Sequence, residues 1–288
     1  LDYRQIGLIA LAGIALGSNI VVVRLGIGQI PPMTFTLLRF VTTLIAFGIT
    51  IAAMRIPLPT RRRVWIDTAI TGIMNTGLPV ICFTFALQYI SSGVLAVMIA
   101  LYPLLTAILA HQFLEHEKLT TKRIAGLALA FAGSLIIILT GTTGLGHAGD
   151  LRGHLLALLG VTLSAVGAIY MRRHLTNEDA AVITGGQVAF SVPLLIPFIV
   201  LGPAVHLTQV TGQAWFAVVY TGVMGSFIGY MILFMLIKRY GATIGALPGY
   251  LMPIAATLLG ALVLGEIITL PLILGAVMVL IGVVLVSA

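Results

Sequence analysis

The chain has 288 residues, of which 15 are Lys or Arg and 8 are Asp or Glu, so 8% are charged against roughly 25% in a soluble domain. Hydrophobic residues reach 60% before the 32 glycines are counted, and mean hydropathy is +1.16. No interior of this size hides that much apolar side chain from water, so the solvent for most of the chain is lipid. The single cysteine, Cys82, excludes an intramolecular disulfide and a cysteine-based zinc site.

A bilayer core is crossed by about 20 apolar residues of helix. Ten such runs follow one another, at 6–24, 33–54, 64–87, 91–113, 122–140, 152–171, 181–201, 214–237, 243–264 and 269–287. Backbone at membrane depth must satisfy its own hydrogen bonds, and the runs lack the alternation of barrel strands. The expected fold class is therefore an all-α membrane protein with ten transmembrane helices. The first run has no small-residue cleavage site after it, so it is expected to be a retained helix rather than a signal peptide.

Ten helices place successive loops on alternate sides. One side then holds Arg4, Arg55, Arg61, Arg62, Arg63, Lys118, Lys122, Arg123, Arg172, Arg173, Lys238 and Arg239, whereas the other holds Arg24 and Arg152. The excess of Lys and Arg on one side puts both termini in the cytoplasm. It also accounts for the basic pI without nucleic acid, which would need a basic stripe with stacking aromatics on a soluble surface.

The second half repeats the first. Thr71-Gly72-Ile73-Met74 returns as Thr221-Gly222-Val223-Met224, Trp65 matches Trp215 and Pro103 matches Pro253, all at one spacing. The fifth and tenth runs align through Glu117 and Glu266, Thr120 and Thr269, Gly126 and Gly275, and Gly133 and Gly282; the first and sixth align through Gly13 and Gly160. Five helices per copy is odd, so the second copy enters the membrane inverted. The charges agree: loop 55–63 carries four Arg and its counterpart 202–213 none, while Gln88-Tyr89 is uncharged where its counterpart is Lys238-Arg239. This predicts two five-helix inverted-topology repeats, 1–145 and 146–288, with a site near the midplane on the pseudo-two-fold axis. The paired glycines of the fifth and tenth helices form small stripes that permit close backbone contact, so these helices are expected to touch.

The Glu-x-x-Thr patterns at 117–120 and 266–269, continued by Gly126-x6-Gly133 and Gly275-x6-Gly282, resemble the EamA domains of the drug/metabolite transporter superfamily over essentially the whole chain. Within it, the length, the helix count and the Tyr102-Pro103 helix look most like bacterial amino acid exporters of the YddG type. The resemblance implies a basket around a central cavity lined by the first, third, fourth, sixth, eighth and ninth helices, and export of small neutral metabolites, amino acids first among them. A proton-coupled multidrug or other metabolite exporter is the alternative within the superfamily. A non-transporting membrane enzyme or scaffold is the alternative from another class.

Interruptions recur in both halves: Pro79 with Gly229, Pro103 with Pro253, and Pro248 as a further break. Paired breaks point to hinges and a cavity wall, against the simpler reading of static kinks. Polar or adaptable side chains that could line the cavity are Asn19, Asn75, Leu78, Pro79, Met98, Tyr102, Ser164, Gly225 and Met252, with interhelical packing as their other use. Arg39 is the one clear intramembrane charge, about 8 Å below the outer end of its helix at 1.5 Å per residue. It either snorkels to the outer headgroups or receives a substrate carboxylate; its approximate counterpart Gln187 favours a shared packing role.

The eight acids fall at helix ends or in loops, so no buried carboxylate is expected for proton coupling and facilitated diffusion is the simpler mechanism. His111, Glu115 and His116 miss the spacing of a helical zinc motif. The stretch Gly141 to Gly149 lacks the Lys-Ser/Thr of a phosphate loop. No nucleophile–base pair suggests an enzyme. The sequence thus implies no metal and no cofactor, the lipid bilayer and a small neutral substrate as partners, and a monomer.

Overall fold

In the computed structural model the structure describes residues 3–27, 29–86, 88–90, 95, 98–115, 117–140, 150–203, 209–264 and 270–287, and every regular element among them is helical. In chain order these are α1 (Tyr3–Ile27), α2 (Pro32–Ala53), α3 (Arg62–Thr71), a π-helical segment (Gly72–Gly77), α4 (Leu78–Ala86), α5 (Tyr102–Phe113) and α6 (Thr121–Thr140). The second half gives α7 (Leu151–His174), α8 (Ala180–Val200), α9 (Gly212–Tyr220), a second π-helical segment (Thr221–Gly229), α10 (Tyr230–Tyr240), α11 (Ala242–Ala246), α12 (Pro248–Leu264) and α13 (Leu270–Ser287).

Helix starts follow local chemistry. Pro32 opens α2, where its missing N–H costs nothing. Asp150 accepts the Arg152 N–H at 3.1 Å, Asp179 that of Ala181 at 2.8 Å, and Thr211 that of Ala214 at 3.4 Å, so α7, α8 and α9 each begin with one orphan donor satisfied.

Five helices, Pro32–Ala53, Arg62–Ala86, Leu151–His174, Ala180–Val200 and Gly212–Tyr240, are long and apolar enough to cross a membrane. Large apolar side chains stand outward along them, including Ile45, Ile49, Leu155, Leu159 and Ile196. Outward-facing Ile and Leu over whole helix lengths fit a lipid solvent and not water. The protein is a multi-pass membrane protein.

Glycine sets how closely the helices cross. A Cβ at Gly126 would lie 2.8 Å from the Gly282 carbonyl oxygen, one at Gly282 would lie 2.5 Å from that of Gly126, and one at Gly133 would lie 2.5 Å from that of Gly275. Residue numbers rise along α6 as they fall along α13, so these helices run antiparallel with backbones in contact, as the paired glycine stripes predicted. Gly13 and Gly17 seat α1 against Leu251 and Ala255 of α12. Gly153, Gly160 and Gly167 seat α7 against Ala86, Cys82 and Asn75. Behind these crossings lies a core of Ile9, Leu236, Leu247, Tyr250 and Val279.

Gly133→Leu is expected to force α6 and α13 apart and to destabilise the protein by about 1–3 kcal/mol, the range for overpacking. Gly48→Leu, where an added Cβ meets nothing within 4 Å, is expected to leave thermal unfolding in detergent unchanged. Equal melting of the two variants would mean that the glycine contact does not hold the halves.

Candidate functional site

The two π-helical segments occupy equivalent places. Gly72–Gly77 follows the buried Thr71 and Thr221–Gly229 begins with the equivalent buried Thr221, within the continuous helices Arg62–Ala86 and Gly212–Tyr240. Pro79 stands two residues beyond the first segment and Gly229 ends the second, so the paired interruption read from the sequence takes the form of a widened helix turn. Such turns alter backbone hydrogen bonding where the chain is within the membrane, and their carbonyls need partners.

Each segment is met by the opposite half. The Ser191 hydroxyl lies 2.9 Å from the Gly72 carbonyl and 2.7 Å from that of Gln187. The Thr43 hydroxyl lies 3.0 Å from the Gly222 carbonyl and 2.8 Å from that of Arg39. A Cβ at Gly72 would strike the Gln187 backbone at 2.6 Å, and one at Gly222 the Arg39 carbonyl at 2.9 Å. Arg39 and Gln187 are thus spatial counterparts, but their side chains differ in use. Gln187 is buried and directs its amide nitrogen to Thr71 Oγ1 at 3.1 Å and Met171 Sδ at 3.0 Å. Arg39 has its Nε buried without a hydrogen-bond partner.

A second exchange lies beside the first. Asn75 packs on Gly167 of α7, where a Cβ would meet its backbone nitrogen at 3.0 Å, and the Asn19 amide of α1 fills the space above Gly225. The Asn sits on the π segment in one crossing and on the partner helix in the other. Gly225 is therefore covered by Asn19, a packing that a sequence cannot reveal because it does not say which helix crosses there. Asn19 Oδ1 is buried without a partner, as is Ser226 Oγ.

The other expected residues spread around these crossings. Leu78 is half-buried where the π segment passes into α4, and buried Pro79 follows it. Met98 is half-buried against Ala86, Ile90 and Leu95. Tyr102 and Pro103 begin α5 after a turn at Ala100 and Leu101, and Gly249 of α12 approaches both. Ser164 bonds back to the Gly160 carbonyl at 3.0 Å. The Met252 carbonyl abuts Gly17. Pro248 opens α12 and Pro253 lies inside it, so Pro103, in the first turn of α5, and Pro253 act differently on their helices.

A cavity of about 790 Å³ opens between α1, α2, α4 and α8, with Val23, Thr36, Arg39, Val80, Thr84 and Phe198 in its wall. None of the nine expected binding residues lines it. At the opposite, arginine-rich end a clamp joins the halves. Glu117 accepts the N–H groups of Ala242 at 2.9 Å and Thr243 at 3.1 Å, capping α11, and its Oε1 lies 3.3 Å from Arg172 Nε. Gly241, with φ of +102°, brings the chain against this carboxylate, in a conformation that L side chains avoid. Arg172 donates to the Lys238 carbonyl, and Lys238 Nζ to that of Glu178 at 2.6 Å.

The clamp corrects one expectation. Among the described acids, Glu117 and Asp67 are buried, with 8% and 4% exposure. Asp67 accepts from Tyr170 at 2.7 Å and Arg63 at 3.2 Å. Burial became possible because each carboxylate is paired and hydrogen-bonded; the pairs are mostly remote in sequence and invisible there. His111 Nδ1 accepts the Leu119 N–H at 3.2 Å, which gives that histidine a loop-closing task; His116 lies outside the described residues, as do Glu266 and Thr269.

Membrane-length helices in two glycine-packed halves, joined by exchanged contacts, define a helical membrane protein of internal repeats. Residues 4–139 and 151–288 each match the EamA-like transporter family, and the chain belongs to that family: it is a membrane transporter and not an enzyme. It is 25% identical to the "Probable amino-acid metabolite efflux pump" of Salmonella typhimurium, over 97% of this chain and 93% of that protein. It is 22% identical to the "Uncharacterized transporter YoaV" of Bacillus subtilis, over 93% and 91%. A solved crystal structure at 24% identity, covering 96% of this chain and 94% of that one, superposes with a TM-score of 0.80, which shows a shared fold.

Glu117→Ala is expected to lower thermal stability by roughly 1.5–3 kcal/mol for each hydrogen bond to the charged group that is lost. Arg172→Gln, which leaves the cap of α11 in place, is expected to lose less. Wild-type melting of Glu117→Ala would remove the clamp from the account.

Proposed function

We propose that the protein exports small neutral metabolites, amino acids first among them, from the bacterial cytoplasm by alternating access. The observation that carries this reading is the exchange at the paired π segments, each satisfied by the other half, which supplies two equivalent bearing points for one half to rock on the other. The name of the Salmonella relative supports the substrate class. Ten spans are counted as α1, α2, α3 to α4, α5, α6, α7, α8, α9 to α10, α11 with α12, and α13. They form two inverted repeats, 1–145 and 146–288; the antiparallel contact of the equivalent helices α6 and α13 supports inversion. Both termini lie in the cytoplasm of the inner membrane, on the side of the arginine-rich loops.

The substrate path runs past Asn19, Asn75, Leu78, Pro79, Met98, Tyr102, Ser164, Gly225 and Met252. The hinges are Pro79, Pro103, Gly229, Pro248 and Pro253. The Glu117 clamp closes the cytoplasmic end, and substrate enters when it parts. Transport is facilitated diffusion by a monomer: Asp67 and Glu117 are held by hydrogen-bonded partners at the basic end, away from the midplane where a proton carrier would place its acid.

In liposomes loaded with leucine, efflux is expected to persist with neither a pH gradient nor a membrane potential. Methionine and phenylalanine should compete, with lysine and glutamate competing poorly, and Tyr102→Ala should shift the preference among neutral side chains. A strict proton requirement contradicts the mechanism, and absence of flux for every amino acid contradicts the substrate class. For topology, in a Cys82→Ser background, Thr60→Cys is expected to label from the cytoplasm and Gln209→Cys from outside. Reversed labelling of either site refutes the ten-span orientation.

A further inference from the structure

Among its described lining residues, the cavity of about 790 Å³ has one cation and no Asp or Glu. That cation, Arg39, is half-buried and holds its Nε in the protein with no hydrogen-bond partner. The Phe40 ring lies 5.3 Å from its guanidinium carbon. A guanidinium is always charged and presents a planar fork of donors suited to an oxyanion, and leaving its buried Nε–H unmet in a region of low dielectric is costly. The volume falls in the range of about 300–1,000 Å³ typical of small-molecule sites.

The counterpart in the other half sharpens this reading. Gln187 stands at the same crossing and spends its amide on Thr71 and Met171. Arg39 forms no equivalent bond to Thr221, which corresponds to Thr71 and, like it, donates to the carbonyl three residues back. The same place on the scaffold is thus a finished packing contact in one half and an open donor in the other. The rest of the wall says what the donor waits for. Val23, Val80, Phe83 and Phe198 offer an apolar surface. Thr36 and Thr84 donate to the Pro32 and Val80 carbonyls at 2.8 Å each, which leaves their oxygens able to accept from a ligand.

We infer that this cavity is a carboxylate site, in which Arg39 binds the carboxylate of a small molecule whose apolar body rests on Val80, Phe83 and Phe198. Within the transport reading, on which its purpose rests, it is a second station at the end of the path remote from the Glu117 clamp. It holds the exported molecule by its carboxylate before release, and the threonine oxygens can accept from an ammonium on the same molecule. The binding itself does not depend on transport.

The test is ligand-dependent thermal unfolding of the purified full chain in detergent, with leucine, 4-methylpentanoate, which keeps the carboxylate, and leucinamide, which lacks it. Leucine and 4-methylpentanoate are expected to raise the melting temperature and leucinamide to leave it unchanged. Arg39→Gln should raise the half-maximal concentration of 4-methylpentanoate about tenfold or more, a loss on the scale of one charged hydrogen bond, and Arg39→Lys should recover part of it. Arg55→Gln, which removes a charge outside the cavity, should behave as wild type. If Arg39→Gln does not fold, the wild-type comparison of 4-methylpentanoate with leucinamide decides alone. Equal responses to those two ligands overturn the site, and so does an unchanged response in Arg39→Gln. Stabilisation by phosphatidylglycerol with none by 4-methylpentanoate also overturns it, assigning Arg39 to a lipid headgroup. A chain that binds the carboxylate yet moves no amino acid in liposomes overturns the transport reading and leaves this site standing; one that transports but ignores the carboxylate does the reverse.

Discussion

Two backbone carbonyls, those of Gly72 and Gly222, set the terms for the rest of the molecule. Each stands at the start of a π-helical turn, inside a helix long enough to cross the membrane, where no water is at hand to satisfy an altered backbone. Each is met by one hydroxyl from the other half, Ser191 for Gly72 and Thr43 for Gly222. Because those hydroxyls also engage the carbonyls of Gln187 and Arg39 in their own helices, they can reach across only where the backbones nearly touch. Glycine at 72 and 222 is the consequence, since any Cβ there would strike the facing backbone.

From that constraint the asymmetry of the two ends follows. With Gly72 bearing on α8 and Gly222 on α2, the halves are linked at two equivalent points. The ends are finished differently. The arginine-rich end is closed by Glu117, which caps α11 and meets Arg172. The far end keeps a cavity with Arg39, whose buried Nε has no hydrogen-bond partner, in its wall. A structure clamped at one end and hollow at the other fits one of the two states that the proposed alternating access requires.

Much of the architecture was legible in the sequence because lipid imposes a simple rule, long apolar runs bounded by charge, and the described helices α1, α2, α6, α7, α8 and α13 fall within a few residues of those runs. The contact of α6 with α13 was legible because Gly126, Gly133, Gly275 and Gly282 have no other reason to recur at one spacing. The pairing of Arg39 with Gln187 was legible as a repeat, but not its meaning, since a shared backbone position does not fix what two different side chains do. The π turns were not legible: a helix widens by shifting its hydrogen-bond register, and Gly72 to Gly77 carries no residue pattern peculiar to that shift. The Glu117 clamp was missed because its partners on α11 lie 125 residues or more away, and a carboxylate in a loop reads as solvated until the chain that buries it is seen. That Asn19 lies over Gly225 was hidden for the same reason.

The central claim is that the clamped end opens while the two bearing points hold. Spin labels on cysteines introduced at Glu115 and Asn177, exposed positions on either side of the clamp, report that opening directly when Cys82 is replaced by Ser. In liposomes, double electron–electron resonance is expected to show one short distance for the resting protein and a second, longer population in Glu117→Ala or with saturating leucine. A single distribution, unchanged by leucine and by loss of Glu117, would contradict the account.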